Sequence, residues 1–316
     1  MSLKLDASTL ISSLPAILGY QVYDSIVAVM LKRHGGQDAI DCVLRVDVNN
    51  PLDQIATMPH VTGRNASNTS GAILIAVAGP EHHKHAGDAL DVLRNALMDL
   101  DIPVRGRLST ATTAEPTLWT DIDTGDSGIT APWTDSPITT ASVVEGRVVA
   151  NTREDLVAEF AITEPAAPQV EIDNLEPLID AGEELAAVIA GTGEVTPDLV
   201  GRVALAITVS VRLRDAHLLL GLDHVQRSAS VWTAMSRSMR GIARAQAATI
   251  AAAYHYMGGD GPRAGIAVDV ATQAARDAGQ QPLKLTGLLD TALHMGVTPE
   301  KIRDVIVNAG STGNGA

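Results

Sequence analysis

Three histidines fall within four positions of the stretch AVAGPEHHKHAGDAL (76–90): His82, His83 and His85. Imidazole is the commonest metal ligand and the side chain that titrates nearest neutral pH, so the cluster offers either metal binding or proton transfer. Geometry narrows the offer. On a helical wheel, Ala86, Leu90, Leu93, Leu97 and Leu100 form the core stripe, and His82 and His83 fall on opposite flanks of it. Only His82 and His85, at i and i+3, could share a ligand face, and Glu81 is the one further ligand close by. The spacing therefore predicts the polar start of a helix and no metal set. Its position still favours function, because loops after the carboxyl ends of α/β strands are where ligands commonly sit.

Other suggestive segments lose their chemistry on inspection. In DIDTGDSG (121–128), Asp121 and Asp123 fit the first ligand positions of a calcium loop, but Gly125 stands at the fifth and Pro132 where a closing glutamate is needed. A polar surface loop is expected there. Arg237, Arg240 and Arg244 lie at i, i+3 and i+7, opposite an apolar side made by Val231, Trp232, Met235, Met239 and Ile242. Such a row is either the solvated face of an amphipathic helix or a ridge that receives an acidic or phosphorylated partner. No phosphate-binding glycine loop, nucleophile elbow, HExxH or paired cysteine occurs, so an enzyme has no motif to stand on.

The elements that must position these residues divide the chain in two. Asp6 precedes the helical spacing of Leu10, Ile11, Leu14, Ile17 and Leu18, which Pro15 should kink. SIVAVML (25–31) reads as a buried strand. A turn at Gly35-Gly36 leads to AIDCVLRVDV (39–48), with Ile40, Cys42, Leu44, Val46 and Val48 on one face and Asp41, Arg45 and Asp47 on the other, a β-hairpin pattern. A weak helix (51–62), an apolar strand (71–79), the histidine-led helix and strands at 102–110 and 117–122 follow, and a capped helix near NTREDLVAEFAI closes a domain over 1–162.

Residues 163–177 are acidic and rich in proline, the expected linker. Beyond it, 178–316 reads as an all-helical array: TP starts at Thr196-Pro197 and Thr298-Pro299, glycine stops at Gly221 and Gly310, and a long helix from about 224 to 257. The fold class is thus α+β, an α/β domain with a mixed sheet followed by helices. A tetratricopeptide-like small-residue spacing in 254–279 lacks a repeat period.

Composition limits what such a protein does. A net charge of −14 argues against free nucleic acid as a partner. Cys42 is the single cysteine, which excludes a disulfide framework and fits a reducing compartment. The start lacks a signal-peptide pattern and the apolar window 10–31 is interrupted by Pro15, Gln21 and Asp24, so a cytoplasmic protein without a membrane span is expected. Aromatic residues make up 3% of the chain, so its cores must be built from Ala, Val, Leu and Ile.

The segments LISSLPAILGYQVYDSIVAVML, RVDV, TLWTDI, VVANTREDLVAEFAI and AAAYHYMGGDGPRAGIAVDVATQAA resemble, in order and spacing, the domain-of-unknown-function family numbered 4192. That family occurs in high-GC Gram-positive bacteria and their phages, and the resemblance implies an architecture and no activity. The positions that match include Gly19, Tyr20, Asp24, Ser25, Arg45, Asp47 and Trp119; Val22 departs from a usual proline, and the cysteines that many relatives carry after Trp119 are missing. A hairpin should gather Asp24, Ser25, Arg45 and Asp47, with Tyr20 close by and His82 or His85 at the rim. The group is either a groove for an anionic or hydrogen-bonding ligand or an internal network in which Arg45 pairs with Asp24 or Asp47.

These readings together point to a non-enzymatic binding or interaction protein, with a protein partner or self-association and no cofactor. The alternative is a small-ligand-binding or hydrolytic enzyme using the N-terminal polar residues. A virion or assembly component would require a large apolar patch outside the core.

Overall fold

The computed structural model describes residues 6–144, 146–167 and 173–312, the side chains of 61 and 309–312 excepted. The chain forms two compact units that divide between Arg153 and Glu154. In the first, α1 (Ala7–Leu18) is capped by Asp6, whose carboxylate accepts from the Thr9 N–H, and it runs through Pro15 to a left-handed Gly19. Strands β1 (Ser25–His34) and β2 (Gln37–Asp47) form the expected hairpin, joined at Gly35 and Gly36 with φ of 56° and 82°. Two successive positive φ values define the tight hairpin turn whose twist matches the strands, and glycine adopts them without strain.

After α2 (Leu52–Val61) and β3 (Gly71–Val77), a short 3-10 turn over Pro80–His82 leads into α3 (His83–Asp99). Strands β4 (Val104–Thr110), β5 (Leu118–Asp121) and β6 (Ser127–Ile129) complete a six-stranded sheet of order β2-β1-β3-β4-β5-β6. Only β3 and β4 are parallel, which makes the sheet mixed. Helix α4 (Pro137–Val144) follows. The expected polar loop at 121–128 is largely the β5–β6 turn, with Asp121 Oδ1 accepting from the N–H groups of Asp123 and Thr124.

One layer of core lies between the sheet and the helices α2 and α3. Ile26, Ala28 and Met30 of β1 and Ala72, Leu74 and Ala76 of β3 meet Ile55 and Met58 of α2 and Ala86, Ala89, Leu90, Leu93 and Leu97 of α3. Val27, Val29, Ile75 and Val77, the alternate residues, are also fully buried, so both faces of the central strands are covered. Strict alternation fails at one point in β2. Met30 pairs with Cys42 and Leu31 with Ile40, leaving Asp41 as a bulge. Asp41 therefore shares a side with Cys42 instead of facing away from it, and the Arg64 guanidinium bonds both, the Asp41 carboxylate and the Cys42 sulfur. Burial pushes the Cys42 thiol up to about 11, so it is protonated at neutral pH.

The second unit begins within α5 (Arg153–Ala158), which the sequence assigns to the close of the α/β domain. The residues after it belong with the helices: Glu159 pairs with Arg263, and the Phe160 carbonyl accepts from Arg244. Part of the expected linker is likewise engaged, the Thr163 and Ala166 N–H groups donating to the carbonyls of Arg237 and Ser238. Residues 168–172 of it lie outside the described residues. Then follow α6 (Glu176–Ala190), α7 (Pro197–Val209), α8 (Val211–Leu219), α9 (Val225–Ser238), α10 (Gly241–Met257), α11 (Gly261–Asp277), α12 (Lys284–His294) and α13 (Pro299–Thr312).

Three expected helix limits are corrected. The helix from Thr196 breaks at Ser210, an extended residue whose hydroxyl caps α8 by accepting from the Leu213 N–H. The helix expected over 224–257 breaks at Met239 and Arg240, both extended, and restarts at Gly241 with φ of 54°. Gly310 does not end the last helix, which runs on to Thr312. Alanines at the contact of α10 and α11, among them Ala245, Ala274 and Ala275, let the two helices pack closely around Ile242.

Candidate functional site

The polar residues of the first unit gather at one end of the sheet, where β1 begins and the parallel strands β3 and β4 finish. Asp24 enters β1 with φ of 39°, a left-handed value that aspartate tolerates better than most residues, and its carbonyl accepts from the Val48 N–H at 2.8 Å. Across from it, Gly79 and Pro80 turn the chain out of β3, and His82 stands at the cap of α3. His82 Nε2 lies 4.0 Å from Asp24 Oδ1. Glu81 folds back over Gly79, where a Cβ would stand 2.6 Å from its Oε1. One donor atom each from Asp24, Glu81 and His82 lies within 4.8 Å of the others, a set able to hold a metal ion.

No metal set is expected from the sequence because the wheel relates the histidines only to one another and to Glu81. In the fold His82 precedes the helix, and its neighbour is Asp24, remote in sequence. His85 goes elsewhere, donating from Nε2 to the Asn50 carbonyl at 3.2 Å, and His83 is exposed. The i, i+3 pair of His82 and His85 is therefore not formed as a ligand pair.

Ser25, Arg45 and Asp47 form a second group. Arg45 Nε donates to Ser25 Oγ at 2.8 Å, Ser25 donates to the Tyr23 carbonyl at 2.6 Å, and Arg45 lies 3.6 Å from the Asp47 carboxylate. These residues alternate with Ile26, Leu44 and Val46, which face α2 and α3, so they project from the opposite face of the sheet. The hairpin thus gathers the expected residues at one end of the strands but divides them by face: Ser25, Arg45 and Asp47 on one, Asp24 with the start of α3 on the other. Asp24 stands just outside β1 with its left-handed backbone, and what sequence cannot supply is its partner at the start of α3. Tyr20 is buried at 4% exposure, in a segment bridged to Ala150.

Elsewhere in this unit several carboxylates meet arginines. The Arg107 guanidinium, buried, bonds both Asp91 and Asp123, and its hydrogen bonds hold the Asp123 carboxyl below the usual carboxylate range. In the second unit the arginine row does not form a continuous ridge, because the helix breaks between Arg237 and Arg244. Arg237 donates to the Ala161 carbonyl at 3.0 Å and Arg240 to that of Thr163. Arg244, 8% exposed, donates to the carbonyls of Ser236 and Phe160, both at 2.7 Å. All three hold the 160–163 segment or the end of α9.

The second unit also contains a buried line of polar groups with no sequence motif. Thr233 Oγ1 is 2.9 Å from His255 Nε2, and His255 Nδ1 is 4.0 Å from Asp260 Oδ2. Asp260 and Glu159 are both bonded by Arg263, the Glu159 pair bidentate at 2.6 and 2.7 Å. Burial pushes the His255 imidazole down to about 4, so it is neutral in the folded protein at neutral pH.

Among the described residues no helix is long and apolar enough to cross a membrane. The family described as Domain of unknown function (DUF4192) matches residues 8–300. No curated protein and no solved structure matches the chain.

Proposed function

The chain belongs to the DUF4192 family, and we propose that its N-terminal unit is a binding module that takes a small polar ligand where Asp24, Glu81 and His82 meet. The observation that carries this reading is the convergence of these three side chains without a hydrogen bond or an arginine or lysine partner among the described residues. Asp41, Asp91, Asp123, Glu159 and Asp260 each meet an arginine. The position supports it too, since ligands of α/β sheets gather outside the carboxyl ends of parallel strands. Carboxylates beside the start of α3 are favoured by the positive end of that helix, which makes the cluster tolerable before any ligand arrives.

Binding is favoured over hydrolysis because Ser25, next to Asp24, is committed as a donor to a carbonyl and as an acceptor from Arg45, with no histidine or carboxylate hydrogen-bonded to its hydroxyl among the described residues. The test is native mass spectrometry of the protein purified from the organism that encodes it, beside the Asp24→Ala variant. A bound low-mass species that the variant loses supports the module. A bare chain, a species retained by the variant, or a chain that carries only another protein overturns it.

A further inference from the structure

We infer that the group held by Asp24, Glu81 and His82 is a divalent first-row transition metal ion; the inference rests on the binding reading above and names its ligand class. The donor set is mixed, one imidazole nitrogen and two carboxylates, drawn from the entrance of β1 and from the turn before α3. Imidazole suits zinc, iron, nickel and copper, while carboxylates also accept manganese; a site of this composition discriminates against magnesium and calcium, which take oxygen donors.

Distances fit a site that closes on its ion. Bonds of about 2.1 Å in a tetrahedral shell would place the donors about 3.4 Å apart. Here they lie within 4.8 Å, so rotations of the side chains by about 1 Å would bring them in. Asp24 and His82 are part-exposed and Glu81 exposed, which leaves them free to make that movement. The 4.0 Å between His82 Nε2 and Asp24 Oδ1 is too long for a hydrogen bond, so neither atom must give up a partner to bind the metal. The set brings two carboxylates together, and a divalent ion between them offsets their mutual repulsion.

Gly79 is part of the same arrangement. Its bare Cα leaves the space into which the Glu81 carboxylate folds, 2.6 to 2.9 Å from where a side chain would begin. Three protein ligands would leave a further position on the ion for water or an exogenous ligand, which is the pattern of an open site and not of a purely structural one.

The experiment titrates Zn2+, and separately Mn2+ and Mg2+, into the chelator-stripped 316-residue protein, with stoichiometry read by native mass spectrometry and affinity by calorimetry. The expected result is one Zn2+ per chain, not displaced by Mg2+, with affinity falling about tenfold or more in Asp24→Asn and His82→Gln. The double variant His83→Gln/His85→Gln is expected to bind as the wild type does. Loss of binding in that double variant with retention in Asp24→Asn would assign the ion to the exposed histidines and overturn the inference, as would no stoichiometric binding. If an organic species accompanies the purified protein and depends on Asp24 while no metal binds, the binding module stands and the metal inference fails.

Discussion

Acidification should loosen the second unit through His255. This imidazole is enclosed by Thr233 at 2.9 Å, Asp260 at 4.0 Å and the Phe160 ring at 6.1 Å, with Arg263 and Glu159 completing its charged surroundings. Burial holds its pKa at about 4, against 6.5 when the chain is unfolded. Well above pH 6.5 neither state carries the proton and the residue adds no pH dependence. Below it the unfolded chain binds a proton that the folded one refuses, so stability falls with pH until the folded state titrates as well. Linkage with these two values gives a loss of about 2 kcal/mol between pH 7 and pH 5. His217, also buried and lowered chiefly by burial, acts in the same direction, so the informative quantity is a difference between proteins. In a chain carrying Trp119→Phe and Trp133→Phe, fluorescence reports on Trp232, which is fully buried in this unit. Urea unfolding at pH 7, 6 and 5 should show a steeper loss with His255 than with His255→Gln, by about 2 kcal/mol over the range. Identical pH slopes in the two proteins would refute the claim that the buried neutral imidazole drives the effect.

Three more perturbations separate the site from the scaffold. Gly79→Ala should displace the Glu81 carboxylate and weaken Zn2+ binding in the calorimetric titration, while urea stability moves by no more than about 0.5 kcal/mol, since the displaced group is the far end of a flexible side chain. Arg263→Met leaves the Asp260 carboxylate poorly solvated and Glu159 without its bidentate partner; a loss of about 2 kcal/mol is expected in urea unfolding, less than for a wholly buried pair because Glu159 is 39% exposed. Tyr254→Phe removes the hydroxyl that donates to the Leu218 carbonyl and accepts from the Gly221 N–H, both buried, and should cost about 1 to 3 kcal/mol in the same measurement.

The hairpin was legible because period-two alternation and the Gly35-Gly36 pair speak to local physics alone. Its bulge was not. Ile40 and Cys42 are both apolar, so the slip of one residue at Asp41 leaves the pattern unchanged, and only the pairing of Met30 and Leu31 reveals it. Helix breaks were hidden for the same reason: apolar spacing continues through Ser210 and through Met239, although Ser210 as a cap and Gly241 in a left-handed conformation are signals that a sequence does carry. Asp24, Arg45 and His82 were recognisable as polar residues at strand and helix ends. Which of them meet depends on strand order and on the face each occupies, and these follow from tertiary packing, where β3 places the start of α3 beside the entrance of β1. The arginine row divides: Arg240 is exposed and Arg237 half-buried, while Arg244 is buried and donates to a backbone carbonyl of a segment distant in sequence.

The most direct test of the account is a crystal structure of the protein loaded with Zn2+, with an anomalous difference map collected at the zinc edge. A single strong peak bonded by His82 Nε2 and by carboxylate oxygens of Asp24 and Glu81 is expected. A peak on His83 or His85, or no peak beside Asp24, would contradict it.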